Sequence, residues 1–312
     1  MDVLGILCLG FMAIYFINGC RKGFFINLIE SIKAIGVIIL AIVFLYPFIY
    51  ILALSFNNGV DTIKGGIWFF PREFTFQNYA EAFKNQYILN SFAISIARTV
   101  IGTLVSVILC ATLAFALLDK RMKGRRFITK FLFFSTLFSG GIIPFFILLR
   151  DLELLDSFGV FIFPALYNFY NVIVLRAGFE AVPESLEESF RMDGAGDLTI
   201  LFKLYIPLSL PSIATVALFT AVFHWNDWFA GAFYISDKNL KPAATLLQEI
   251  IANQASENPD MMNTALGQAA SNITPQSLQM AFVVILVFPI VVLYPFLQKY
   301  FIKGAMVGSI KE

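Results

Sequence analysis

Two short stretches carry side chains able to do chemistry: PESLEESFRMDGAGD at residues 183–197 and HWNDW at residues 224–228, both set among long apolar runs. In the first, Pro183 suits the opening turn of a helix and Glu184, Glu187 and Glu188 complement the positive end of its dipole. Ser185 and Glu188 have capping-box spacing. Leu186 and Phe190 share one face at i, i+4, and the helix is expected to end near Met192, because Asp193-Gly194 supplies a residue able to turn left-handed. Asp197 can cap a second short helix whose apolar side is Leu198, Leu201, Phe202 and Tyr205, until Pro207 and Pro211 stop or bend the chain. That chemistry is recognition rather than catalysis. A pair of interfacial helices lying on lipid remains open from these residues alone. Such helices usually carry Lys and Arg on their polar face, whereas an acidic helix is better met by a basic pocket on a protein.

In the second stretch, His224, Trp225, Asn226, Asp227 and Trp228 fall within an apolar run, where a charge costs about 2.5–3.5 kcal/mol on insertion scales. They are expected to face the protein interior. Aromatic rings beside Asn and Asp suit a sugar, whose apolar ring faces stack and whose hydroxyls need hydrogen-bond partners. Asp227 reads either as part of a translocation path or as a structural hydrogen-bonding group. His224 is the only histidine, which argues against a metal site. No catalytic set and no metal-ligand spacing is read from the sequence.

The elements that must hold these stretches are membrane spans. The 312 residues are 59% hydrophobic and 14% charged, with a mean hydropathy of +0.79, far from the composition of soluble domains. A net charge of +1 gives no clustered basic face for nucleic acid. Cys8, Cys20 and Cys110 are scattered in or beside apolar runs and read as small core residues. A span needs about 20 apolar residues, and runs of that order are read at 34–55, 88–118, 128–149, 159–176, 208–235 and 277–298, with kinks expected at their prolines. Lys120, Arg121, Lys123, Arg125, Arg126 and Lys130 mark the loop between the second and third spans as cytoplasmic. The segment 183–211 then faces the cytoplasm, and segments 56–87 and 236–276 face outward. Loops of that length are either flexible or functional, and both readings stay open. Val3–Ile17 has no basic region before it and no small-residue cleavage pattern after it, so it is expected to stay on the chain.

The run ESFRMDGAGDLTILFKLYIPLSLP resembles the EAA loop of the membrane subunits of ATP-binding-cassette importers. Glu188, Asp193, Gly194, Ala195, Pro207 and Pro211 fall on its motif, and Ser189 and Phe190 replace its two alanines. FTFQNYAEAF, HWNDWFAGAFYI, TPQSLQMA and YPFLQKYFIKGAMVGSIKE are similar to segments of carbohydrate-importer permeases of the MalG type, particularly those serving complex oligosaccharides. Residues 1–40 depart from that pattern and weakly resemble the start of colicin V production-type membrane proteins.

The resemblance implies an all-α polytopic membrane protein of the bacterial cytoplasmic membrane: a six-helix type I ABC importer transmembrane domain at 34–312, plus an extra N-terminal helix at 1–33. It implies a coupling loop at 177–207 that seats on an ATPase subunit. Leu186 and Phe190 would fill the ATPase groove, Glu188 would pair with a basic residue, and Asp193 and Gly194 would hold the elbow. A tail at 304–312 would reach between ATPase subunits. The implied partners are a second homologous permease, an ATPase dimer, an extracellular solute-binding protein and an oligosaccharide. The chain carries no G-x-x-x-x-G-K-[ST] phosphate loop, so ATP and Mg are expected on the partner ATPase, and the chain is expected to be no enzyme. Two other classes remain as alternatives. An ion-coupled secondary transporter would show inverted repeats and paired intramembrane carboxylates. A non-transporting membrane scaffold leaves the acidic elbow unexplained.

Overall fold

The computed structural model describes residues 23–84, 86–138, 140–256, 273–289 and 291–292. The stretch Val3–Ile17 and the tail 304–312 lie outside the described residues.

Helix α1 spans Gly23–Ser55, and Pro47 lies inside it. Its segment from Ile35 onward is long and apolar enough to cross a membrane. Ile38, Phe44 and Phe48 on it are exposed, as expected of side chains that face lipid. The junction read at residues 33 and 34 falls within this continuous helix.

Helix α2, Ile88–Ala116, is the central element. Its buried face is Ser91, Ser95, Arg98, Gly102, Ser106, Cys110 and Ala114, while Leu89, Ile96, Val100 and Leu104 point outward. Helices in lipid gain little from burying apolar surface against each other, so small residues that let backbones approach make the contact. The 3–4 residue spacing of this stripe keeps it on one face. Gly102 shows how close the approach is: a Cβ there would sit 2.4 Å from the Nε2 of His224.

The run expected as a third span is instead two helices, α3 at Arg125–Leu137 and α4 at Ile142–Asp151. Phe138 leaves α3 with extended backbone, and Gly141 starts α4 from φ of +87°, a conformation open to glycine. The fourth is also broken, into Gly159–Ala165 and α5 at Phe169–Phe179, bent by 57°. Pro164 begins the tight turn between them, and Asn168 starts α5 by accepting the Tyr170 N–H at 2.9 Å. After helix α6, Glu184–Met192, the chain continues as α7, Asp197–Leu208, and turns by 88° into α8, Leu210–Asn226. A short helix, Phe229–Tyr234, follows. The span read as 208–235 is thus interrupted at Asp227. Among the described residues two helices are long and apolar enough to span alone, and the total is up to five if each bent pair counts as one span.

The outward segment 236–276 is not merely a polar connection. It contains α9, Ala243–Ser256, which packs on α2 and is anchored where the Ala243 N–H donates to Ser95 Oγ at 2.9 Å. Helix α10, Pro275–Pro289, opens the sixth apolar run. Helices α2, α5 and α8 pack together as the core.

A buried polar knot closes the end of α1 expected to face outward. Asn57 Oδ1 accepts the N–H groups of Arg72 and Glu73 at 2.9 and 3.0 Å, and its amide donates to Asp61 and Thr62. Asn78 donates to the carbonyls of Ser55 and Asn57 and accepts from Ser277 Oγ at 3.0 Å. The foot of α1, the FTFQNY segment and the TPQS segment are thereby one unit.

Candidate functional site

The elbow at residues 183–197 is built from its helix ends. Pro183 is the residue before α6, with no side-chain cap, and Glu184 and Glu187 occupy the first turn. The capping box suggested by Ser185 and Glu188 does not form. Ser185 is already inside the helix, where its carbonyl accepts from Ser189 Oγ at 3.0 Å. At the other end Gly194 takes φ of +81°. The N–H of Gly194 bonds to the Arg191 carbonyl and that of Ala195 to the Phe190 carbonyl, both at 3.0 Å. This is the Schellman pattern, which satisfies two carbonyls that the helix end leaves free. Asp197 does not cap α7. Gly196 is the capping residue and Asp197 is the first helical one.

Ion pairs brace the elbow internally. Arg191 bonds Glu187 Oε1 at 2.9 Å through Nε and Asp197 Oδ1 at 2.9 Å through Nη2. The Tyr205 hydroxyl donates to Glu187 Oε2 at 2.6 Å. One arginine therefore bridges α6 to α7, and a tyrosine fixes the carboxylate it holds. Lys120, from the basic loop before α3, pairs with Glu184 at 2.8 Å. That bond and charge hold the Glu184 carboxyl below its ordinary pKa. An exposed pair adds little stability, but it puts the basic loop and α6 on one side of the molecule, as the positive-inside reading requires.

Helix α7 anchors the elbow to the spans. Ile200, Leu201, Leu204 and Tyr205 are buried with Leu117, Leu175 and Phe179 at the ends of α2 and α5. From Leu201 to Tyr205 the turn is π-helical, and the Ile206 N–H reaches back to the Leu201 carbonyl. A wide turn fits ahead of Pro207, which has no N–H and whose ring would crowd the preceding turn. Pro211 lies in the first turn of α8. The corner is pinned where Ser209 Oγ donates to the Gly178 carbonyl at 3.1 Å.

The residues expected to meet an ATPase divide into two sets. Phe190 and Ala195 pack inward against the core beneath the elbow, so Phe190 is committed to this chain. Leu186, Met192 and Leu198 are exposed, Met192 at 88%. Glu188 and Asp193 are exposed too, and among the described residues the Glu188 side chain has no partner. The elbow therefore presents a free carboxylate at Glu188 with Met192 one turn on, and further exposed apolar side chains at Leu186 and Leu198. Met192 and Leu198 were legible as exposed only once the direction of Phe190 was known.

The intramembrane stretch also divides. His224 and Trp225 are buried within the chain, and Asn226 and Trp228 lie at its surface. Asp227 is engaged: Arg98 Nη2 meets its Oδ2 at 2.6 Å and Arg98 Nη1 its carbonyl at 2.9 Å. The other oxygen, Oδ1, accepts the N–H groups of Phe229 and Ala230 at 3.0 and 3.3 Å. The Arg98 guanidinium also lies 4.4 Å over the Phe161 ring, a cation–π contact strengthened by burial. Asp227 thus ends α8, starts the next helix and neutralises the arginine of α2. Arg98 was absent from the sequence reading. A lone arginine inside an apolar run is itself a signal that a counter-charge lies across the bundle. Among the described residues no cluster of His, Cys, Asp and Glu has metal-site geometry.

Comparison with known proteins agrees with this architecture. Residues 6–306 match the family model described as "Binding-protein-dependent transport system inner membrane component". The chain is 37% identical over 271 residues, 87% of its length and 94% of the other, to the polygalacturonan/rhamnogalacturonan transport system permease protein YtcP of Bacillus subtilis (strain 168). It is 26% identical to the melibiose/raffinose/stachyose import permease protein MelC of the same organism, covering 85% of this chain and 91% of that one. It also superposes with a TM-score of 0.82 and 31% identity on a chain of a bacterial ABC transporter involved in the import of the acidic polysaccharide alginate, covering 91% of this chain and 99% of that one. The chain belongs to the family of binding-protein-dependent transport system inner membrane components, and it is a membrane permease subunit rather than an enzyme.

Proposed function

We propose that this chain is a permease subunit of an ATP-driven oligosaccharide importer in the bacterial cytoplasmic membrane, and that α6 is the coupling helix seated on a separate ATPase subunit that holds ATP and Mg. The carrying observation is the exposed surface of the elbow: a Glu188 carboxylate with no partner among the described residues, Met192 one turn on, and exposed Leu186 and Leu198, on helices braced by Arg191, Glu187, Asp197 and Tyr205. An interface centre combines apolar anchors with a charge that sets register. A braced helix joined to buried α7 can carry a push from the ATPase into α8 without melting. The names of the relatives support a saccharide cargo, and the family description supports a solute-binding protein on the outer side. A second homologous permease would complete the path, to which Asn226 and Trp228 present a polar and an aromatic group at the surface.

The test is uptake of labelled oligosaccharide by cells carrying Glu188→Lys or Gly194→Pro, with membrane levels of the chain measured in parallel. Uptake is expected to be lost in both while the chain stays in the membrane, and co-purification of the ATPase with Glu188→Lys is expected to fail. Normal uptake and a normal ATPase yield in both variants would remove the coupling assignment.

A further inference from the structure

Beside the elbow, on the same side of the molecule, an open cleft of ≈ 790 Å³ is lined by Lys120, Met122, Gly124, Arg125, Arg126, Thr129, Lys130 and Arg176. Five of these eight side chains are cationic. Lys120 is paired with Glu184 and Arg176 with Glu180. Among the described residues the side chains of Arg125, Arg126 and Lys130 have no acidic partner. Gly124 opens α3 with no side-chain cap, so the positive end of a helix 13 residues long adds to the same field.

A second cavity, ≈ 340 Å³, adjoins the first and shares Thr129, Lys130 and Arg176 with it. Its other walls are Leu117, Phe133, Phe169, Val172 and Ile173. Phe133 and Ile173 are about half exposed on the surface of α3 and α5, each part of a bent, apolar helix pair that qualifies as a broken span. A surplus of positive charge at the cytoplasmic edge thus leads directly into an apolar groove that opens toward lipid.

We infer that the cleft between the basic loop, α3 and α5 binds an anionic phospholipid, its phosphate among Arg125, Arg126 and Lys130 and an acyl chain in the groove lined by Phe133, Phe169, Val172 and Ile173. The joined pair of cavities selects this occupant. A soluble phosphate would use the cations and leave the apolar groove to bulk lipid. An acidic protein surface would have no group to place there. Basic pockets between membrane helices on the cytoplasmic side are a known way to hold anionic headgroups. Because Lys120 also holds Glu184 at the start of α6, the lipid would stand against the elbow and stiffen the segment that carries it.

The experiment uses the assembled importer, delipidated in detergent and titrated with phosphatidylglycerol or phosphatidylcholine, with bound lipid counted by native mass spectrometry. Phosphatidylglycerol is expected to remain bound where phosphatidylcholine does not. Arg125→Gln, Arg126→Gln and Lys130→Gln together are expected to weaken it about a hundredfold, from the usual worth of three interfacial cations. Lys123→Gln, outside the cleft, is expected to change nothing. Equal retention of both lipids, or of phosphatidylglycerol by the triple variant, overturns the inference. So does full displacement of phosphatidylglycerol by inorganic phosphate, which would mark a soluble-anion site. Loss of the ATPase from the triple variant with lipid retained would mark a protein-docking surface instead, and would also overturn it. Should the triple variant fail to assemble, a phosphatidylglycerol with a photoreactive acyl chain decides on the unaltered complex. Labelling of Phe133, Phe169 or Ile173 supports the site, and labelling confined to other spans refutes it.

Discussion

Replacing Asp227 by Asn tests the reading of the intramembrane charge. The substitution keeps an oxygen able to accept the Phe229 and Ala230 N–H groups, so the start of the helix after Asp227 survives. It removes the negative charge 2.6 Å from Arg98, whose side chain is 1% exposed. Arg98 would keep the Asp227 carbonyl and the Phe161 ring face but have no counter-charge. Removing one partner of a buried pair costs about 3–5 kcal/mol, and because the Asp227 side chain is 17% exposed the lower half of that range is expected. At about 2–4 °C per kcal/mol, the purified complex should melt roughly 6–15 °C lower when followed by fluorescence-detected size exclusion. Arg98→Leu leaves Asp227 charged but still bonded to two N–H groups and partly wetted, so its loss should be smaller. Combining Arg98→Leu with Asp227→Asn should be milder than Asp227→Asn alone, since no uncompensated charge remains. Refutation would be an Asp227→Asn melt within about 2 °C of the parent, or a double variant whose loss is the sum of the two single losses. Either would mean that the pair does not hold the interrupted span together.

Three further outcomes follow from the geometry. Asn78→Ala removes one acceptor and two donors from the buried outer knot, a loss of about 2–4 kcal/mol, read as faster trypsin cleavage at Arg72 from the outside of the cell. Gly102→Ala would put a Cβ 2.4 Å from His224 Nε2, so the ring must shift; overpacking of this kind costs about 1–3 kcal/mol and should lower the melting point while leaving the proposed ATPase contact of the elbow intact. Hydrogen bonds from the N–H groups of Asp237 and Ser236 hold the Asp156 carboxyl below its ordinary pKa. A depressed carboxylate contributes stability that is full above its unfolded pKa and lost as pH falls through the folded value. The tie to residues 236–237 should therefore protect Lys238 from trypsin from pH 8 down to 5, whereas Asp156→Ala, which leaves the two N–H groups without their acceptor, should expose it throughout.

What was legible in the sequence was local. Gly194 had to turn left-handed because an acidic helix ended at Asp193, and it does. The long run at 88–118 had to be a span, and Ile88–Ala116 is one. What escaped was set by contacts across the bundle. The capping box of Ser185 and Glu188 had the right spacing, yet the helix begins at Glu184, two residues too early for it. Phe190 could face either way from periodicity alone, and the apolar cluster around Leu175 and Leu201 draws it inward. Asp227 was singled out as an isolated charge, but its partner Arg98 lies on another helix, and only packing brings the two together. The break in the third span was written in Gly140-Gly141, a signal outweighed by the hydropathy on either side.

The outer knot has a consequence for how cargo choice can be altered. FTFQNY and TPQS are among the segments by which the chain is recognisable, and Asn78 and Ser277 within them spend their polar atoms on one another and on the carbonyls of Ser55 and Asn57. These two segments are in this respect joints rather than a surface that reads a cargo. On the proposed function, a redesign of selectivity would leave those joints alone and start from Asn226 and Trp228, whose side chains stand at the surface on either side of the engaged Asp227.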